Sequence, residues 1–320
     1  MNPTVSVQIV TYNSEEDIER CLKAVAQQTY PIEKIMVVDN ASKDCTVKKV
    51  KQFSDVSIVA NKENTGFAPA HNQAINMTTT NYVLVLNPDV QLHENYIKNI
   101  IKVMVKDNSI GMAIGKLYRD EANKVLDSTG IVMKKNRRAI DRGAGQIDSG
   151  QFDKKTNVFG VSGAAAIYKR EMIEEISYQS EFFDEVFFAY KEDVDVCWRA
   201  QLLGWQGVFV PDAIACHGRG WNEDRKRSDV PVFIRQKSYI NRYFYMMKNE
   251  SKWDFILHFP FILFFEFASF SYTILKEREL FAAWRFFKQQ WPSMKEKRRA
   301  IITRKKATNK LIRSFYKGIW

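Results

Sequence analysis

An apolar strand, Tyr82-Val83-Leu84-Val85-Leu86, runs directly into Asn87-Pro88-Asp89. The proline fixes the backbone ahead of the aspartate, and ligands of open parallel sheets bind beyond the carboxyl ends of the strands. A carboxylate placed there is suited to hold Mg²⁺ or Mn²⁺ on a phosphorylated ligand. Both ions favour carboxylate oxygen, and Mg²⁺ is usually shared between one or two protein carboxylates and substrate phosphates. Asn-Pro-Asp is also an ordinary turn, so its neighbours decide. A second acidic group, Glu192-Asp193-Val194-Asp195, opens a helical pattern. The helix macrodipole accounts comfortably for one acid in a first turn, less easily for three in four positions. Adjacent helical side chains diverge by about 100°, so Glu192 and Asp193 are expected to aim at different targets.

The elements that must position these groups follow from periodicity. Strands are expected at 5–10, 35–38, 56–59, 82–86 and 207–210, with helices at 15–28, 42–53, 69–77, 94–105 and 189–203. Strands alternating with helices of this length predict an α/β fold with a mostly parallel, Rossmann-like sheet flanked by helices. Residues 111–170 look less regular: Gly143, Gly145 and Gly150 suggest long loops, and 134–138 a basic hairpin or loop. Small residues Ser162-Gly163-Ala164 lie in a strand-like stretch, 158–168, that must meet another element closely.

Charge is unevenly spread. Residues 276–320 carry 14 Lys and Arg against 3 acids, which equals the +11 of the whole chain, so the first 275 residues are neutral. A basic tail points to an anionic surface, membrane or nucleic acid, but no nucleic-acid reading motif is present. Residues 252–275 are dominated by aromatic side chains, interrupted by Asp254, His258, Pro260 and Glu266. Charges at the centre of a spanning helix are costly. The expectation is therefore a helix lying on a membrane, with a buried helical pair packed on the domain as the equal alternative. The four cysteines are scattered, as for reduced cytosolic thiols, and the start of the chain has no apolar leader, which predicts a cytoplasmic catalytic part.

Six blocks in order resemble family 2 glycosyltransferases of the GT-A fold, most closely the rhamnosyltransferase-like branch: Val7–Asn13, Val37–Ser42, Asn64–Ala68, Asn87–Asp89, Phe183–Glu185 with Glu192–Asp195, and Pro211-Asp212 with His217. The resemblance covers roughly residues 5–217. It implies a nucleotide pocket built from Thr11, Tyr12, Asn13, Asp39, Asn64, Gly66, Phe67 and Asn87, with Asp39 reading the base. It implies a divalent cation (Mn²⁺ or Mg²⁺) on Asp89. Asn87 replaces the first acid of the usual Asp-x-Asp, so His217 becomes the natural second ligand. Asp193 is the expected general base, with Glu192 in reserve, and Ser162, Gly163 and Ala164 floor an acceptor pocket. Arg219, Trp221 and Arg225–Arg227 are placed to fold over a leaving diphosphate.

The implied activity is inverting transfer of a sugar, L-rhamnose from dTDP-rhamnose before a UDP-sugar, to a hydroxyl of a lipid-linked saccharide of the bacterial envelope. The expected organisation is a catalytic domain over 1–221, divided into a nucleotide-sugar half (1–110) and an acceptor half (111–221). A helical, basic extension (222–320) follows, with the protein peripheral on the inner face of the membrane and compatible with a homo-oligomer. A non-catalytic nucleotide-sugar binder or scaffold is the alternative; it has no need of Asp89, Asp193 and His217 together. A pyrophosphorylase is disfavoured because residues 5–16 contain no glycine.

Overall fold

The computed structural model of the protein describes residues 2–218 and 227–319. Its first half is the expected alternation. Strands β1 (Val5–Thr11), β2 (Lys34–Asp39), β3 (Val56–Ala60) and β4 (Tyr82–Leu86) lie parallel in the order β3-β2-β1-β4. They are linked by α1 (Ile18–Ala26), α2 (Thr46–Val50) and α3 (Phe67–Asn76). β4 is buried along its whole length, as an apolar run covered on both faces must be.

The chain continues through β5 (Val90–Leu92), α4 (Tyr96–Met104), β6 (Ile110–Asp120), β7 (Val125–Ser128), and the hairpin of β8 (Ile131–Met133) with β9 (Ala139–Asp141). Then come β10 (Asn157–Val158), β11 (Ala165–Lys169), α5 (Arg170–Ile176), α6 (Glu192–Leu202) and β12 (Gln206–His217). β11 inserts antiparallel between β4 and β6, and β12 lies parallel to β6, so the sheet is mixed beyond β4.

Two departures from expectation shape the edge of the sheet. The 158–168 stretch is a two-residue strand, a turn and then β11, because Asn87 N–H takes the Ala164 carbonyl at 2.8 Å just where β11 begins. β12 does not stop before Pro211 but passes through it to His217. A register shift between Val210 and Ile214 places the proline in a bulge, where no ladder donor is required.

Helices α7 (Val232–Asn249), α8 (Lys252–Lys276), α9 (Ala283–Thr303) and α10 (Asn309–Ser314) complete the chain. The buried helical pair packed on the domain, one of the two expected arrangements, is present. α7 and α9 bury Ile240, Phe244, Tyr245, Met294 and Ile301 in one core with the sheet, whereas α8 leaves most of its surface outside. The tail is not a loose arm: Tyr316 is buried and Lys317 N–H donates to the Met133 carbonyl at 2.9 Å.

Candidate functional site

Sheet register gathers the site. Thr11 pairs with Asp39 at the carboxyl ends of β1 and β2, Leu86 pairs with Ala165, and His217 pairs with Val90. Segments 87–89 and 162–164 and the end of β12 therefore meet at one edge, together with the N-terminus of α6. A cleft of about 680 Å³ opens there, lined by Tyr12, Asn13, Asn64, Gly66, Phe67, Asn87, Asp89, Ser162, Gly163, Ala164, Glu192, Asp193 and His217.

Two members of the expected set do not line it. Thr11 and Asp39 are 0% and 1% exposed. The Asp39 carboxylate accepts from the Thr11 hydroxyl (2.8 Å), the Ser42 N–H (2.9 Å) and the Ser42 hydroxyl. Asp39 thus makes a local Asx-type turn, and it shapes the floor behind Asn13 and Asn40. His71 is buried against Phe67 with ring centroids 4.2 Å apart. Burial pushes its imidazole down to about 3, so it is a neutral core side chain.

Gly66 behaves as expected for a glycine, but for a different neighbour. Its φ is +97°, and a Cβ there would stand 2.6 Å from Phe188. The close approach is to the loop ahead of α6, which Ala68 N–H also ties down through the Phe188 carbonyl at 3.1 Å.

Asp89 and His217 are brought together, with His217 Nε2 3.3 Å from Asp89 Oδ1. The β5–β12 pairing dictates this, since His217 stands opposite Val90 and Gly218 N–H donates to the Asp89 carbonyl at 3.0 Å. His217 Nδ1 lies 2.8 Å from Asp127 Oδ2 on β7. Burial alone would lower the imidazole, but the hydrogen bonds it donates to the Asp127 and Asp89 carboxylates, with their charges, outweigh it and raise it to about 9. Asp127 is the residue that the sequence did not disclose: a lone aspartate in an irregular stretch gives no signal. A carboxylate behind one ring nitrogen is the usual way to orient a metal-binding histidine.

The donor set fits a divalent cation. With bonds of about 2.1 Å, adjacent ligands of an octahedral ion stand about 3.0 Å apart, close to the observed separation. Among the described residues no group of three or more His, Cys, Asp or Glu could hold a metal. Asp89 and His217 would therefore share the ion with phosphate oxygens and water.

At the other wall, α6 starts abruptly. Phe188, Tyr190 and Lys191 have φ of 62°, 70° and 69°, conformations that cost of order 1–3 kcal/mol each and persist only when held from outside. Asn241 of α7 holds them, its amide donating to the carbonyls of Phe187 (2.9 Å), Ala189 (2.9 Å) and Tyr190 (2.7 Å). The left-handed Lys191 is why α6 begins at Glu192 and not at Ala189. Glu192 and Asp193 both line the cleft despite their divergence, because the cleft wraps the helix end.

Asp193 Oδ2 accepts from Gly163 N–H at 3.1 Å. Burial raises its carboxyl to about 6 against that hydrogen bond, with the charge of Asp141 adding to the rise. Burial, then the charge of Asp193, raise Glu192 further, to about 8, and Glu192 Oε2 has no hydrogen-bond partner. Asp195 points away, to Arg199 (2.8 Å), Lys248 (2.8 Å) and Asn249 (2.8 Å). Segment 219–226, expected to cover the diphosphate, lies outside the described residues; Arg227 follows it and pairs with Glu277 at 3.0 Å.

The mixed sheet flanked by helices, with its helical C-terminal part, has the GT-A fold. Residues 6–177 match the model of glycosyl transferase family 2, and the chain belongs to that family. It is 24% identical over 268 residues to the N-acetylglucosaminyl-diphospho-decaprenol L-rhamnosyltransferase of Mycobacterium tuberculosis, spanning 75% of this chain and 84% of that protein. Among solved structures it resembles a mannosyltransferase of Pyrobaculum calidifontis in complex with GDP-Man and Mn²⁺ (TM-score 0.57, 18% identity, covering 95% of this chain and 87% of that one). It also resembles TarS 1-349 of S. aureus in complex with UDP-GlcNAc (TM-score 0.59, 16% identity, covering 94% and 89%).

Proposed function

We propose that the protein transfers one sugar from a nucleotide diphosphate donor to an acceptor hydroxyl with inversion, Asp193 acting as the base. The observation that carries this reading is that Asp193 and the Asp89–His217 pair line one and the same cleft. A base and a leaving-group holder facing each other across it would suit a single in-line displacement. Asp193 Oδ2, oriented by Gly163 N–H, takes the proton as the acceptor oxygen attacks. Its raised proton affinity matches that task near neutral pH. Asp89 and His217, oriented by Asp127, would hold Mn²⁺ or Mg²⁺ against the diphosphate. Bound there, the ion would neutralise the charge that develops on the leaving group.

Of the residues lining the cleft, Tyr12, Asn13 and Asn40 would hold the nucleotide, and the small Ser162, Gly163 and Ala164 would leave room for a sugar ring. The mycobacterial relative, an L-rhamnosyltransferase acting on N-acetylglucosaminyl-diphospho-decaprenol, supports L-rhamnose as the sugar and a lipid-linked saccharide as acceptor; dTDP-rhamnose is the donor we propose. Such an acceptor would bring the enzyme to a membrane surface, and we propose the cytoplasmic face.

The test is a thermal-shift panel of nucleotide sugars with Mn²⁺, since a ligand of the folded state raises the midpoint by mass action. dTDP-rhamnose is expected to give the largest rise. A panel in which a UDP- or GDP-sugar dominates replaces the donor, and a panel with no response removes the nucleotide-sugar reading.

A further inference from the structure

Helix α8 is amphipathic in the wrong sense for water. The ionisable residues that interrupt its apolar run, Asp254, His258 and Glu266, face the protein. Asp254 (1% exposed) pairs with Arg313 at 3.1 Å, His258 (7%) meets Arg137 at 3.2 Å, and Glu266 takes the Tyr243 hydroxyl at 2.6 Å and pairs with Arg242. Its outer face presents Trp253 (76%), Ile256 (62%), Phe267 (71%) and Leu275 (73%). Contiguous apolar surface of this extent is unusual on a soluble monomer and marks an interaction face. Among the described residues this is the one helix long and apolar enough to cross a membrane, with a mean hydropathy of 1.5. Yet its polar stripe is fastened to the domain along its length, so it lies against the protein and does not project from it.

The edge of that face is cationic. Lys135 and Arg138, from the β8–β9 turn, stand 5.4 Å and 5.7 Å from the rings of Phe261 and Phe265 on α8. Exposed Lys252 and Lys276 close the two ends of the helix. An apolar stripe bordered by cations complements an anionic lipid surface, where rings sink among acyl chains and ammonium groups reach headgroups.

We infer that α8 is an in-plane seat on an anionic bilayer, with its Trp253–Ile256–Phe267–Leu275 face immersed and Lys135 and Arg138 on phospholipid headgroups. The inference rests on the proposed function only in that a lipid-linked acceptor makes such a seat useful. α7 joins the seat to the site physically, because it carries both Arg242, which pairs with Glu266 of α8, and Asn241, which holds the loop before Asp193.

The experiment is co-sedimentation of the full chain with vesicles of phosphatidylcholine alone or mixed with phosphatidylglycerol, alongside nucleotide binding in detergent. Binding to the anionic vesicles is expected. Ile256→Glu with Phe267→Glu is expected to weaken it by about 10-fold or more for each side chain. Lys135→Glu with Arg138→Glu is expected to weaken it by about 5-fold for each cation, and less as salt rises. Nucleotide binding should not change in either variant. Unaltered partitioning of the Ile256/Phe267 variant overturns the seat. Resistance to carbonate extraction overturns it in favour of a spanning helix. Concentration-dependent dimerisation that the same variant abolishes overturns it in favour of a face between two copies. Vesicle binding without any sugar transfer leaves the seat standing and removes the proposed reaction, whereas transfer in detergent without vesicle binding does the reverse.

Discussion

Lys248 Nζ, on α7, lies 2.8 Å from Asp195 Oδ2, on the same helix turn as Asp193, and 2.6 Å from Asp184 Oδ2. Lys297 of α9 reaches Asp184 Oδ1 at 2.8 Å. The C-terminal helices thus supply the counter-charges for two buried carboxylates of the catalytic half. They are part of the site's scaffold, not an appended module.

Removing one partner of such a network leaves buried charge uncompensated, at a cost of about 3–5 kcal/mol. Lys248→Met is therefore expected to lower the thermal midpoint severely, measured by calorimetry. For the same reason a fragment ending before α7 is expected not to yield a folded catalytic domain. A fragment with full, cooperative unfolding would contradict the role given to Lys248 and Lys297.

Glu192 should cost stability at neutral pH. Its folded value, about 8, lies above its ordinary value of 4.5. Such a carboxyl favours folding only while protonated; the advantage is complete below 4.5 and is lost as pH rises through 8. Glu192→Gln, always neutral, is expected to be the more stable protein above pH 8, by about 1–3 kcal/mol, and to converge with the parent near pH 4.5. Denaturant melts at the two pH values check it.

The Asp193 carboxyl must be ionised to accept a proton, and burial raises it to about 6. Turnover at saturating donor should fall about tenfold per pH unit below that value and level off above it. A limb centred near the ordinary carboxylate value would move the base elsewhere.

Asp127 touches no cleft ligand and acts through His217 Nδ1 at 2.8 Å. Asp127→Asn is expected to weaken Mn²⁺ affinity by about 10–100-fold while leaving metal-free nucleotide binding intact. Titration of both ligands by calorimetry separates these effects.

Much of the fold was legible because β1 to β4 are short, apolar and bounded by helical periods, and Asn87-Pro88-Asp89 marks a strand end unaided. Asp89, Asp193, His217 and Ser162–Ala164 were found from residue type and order, and the cleft does collect them. Asp39 is placed differently for a physical reason: a strand-end aspartate followed by Ser42 can satisfy itself locally, and it does, so its side chain is buried behind the cleft lining. Asp127, Asn241 and Lys248 were invisible because their roles exist only across long sequence separations. Asp254, His258 and Glu266 read as interruptions of a membrane helix until the fold turned them inward.

The central claim is that Asp193 is the proton acceptor in a cleft whose nucleotide site is independent of it. Its most direct test is Asp193→Asn, with sugar transfer and nucleotide affinity measured on the same preparation. Turnover should fall by about 10²–10⁴-fold with nucleotide affinity within a few-fold of the parent. A variant that transfers sugar at the parental rate would contradict the account.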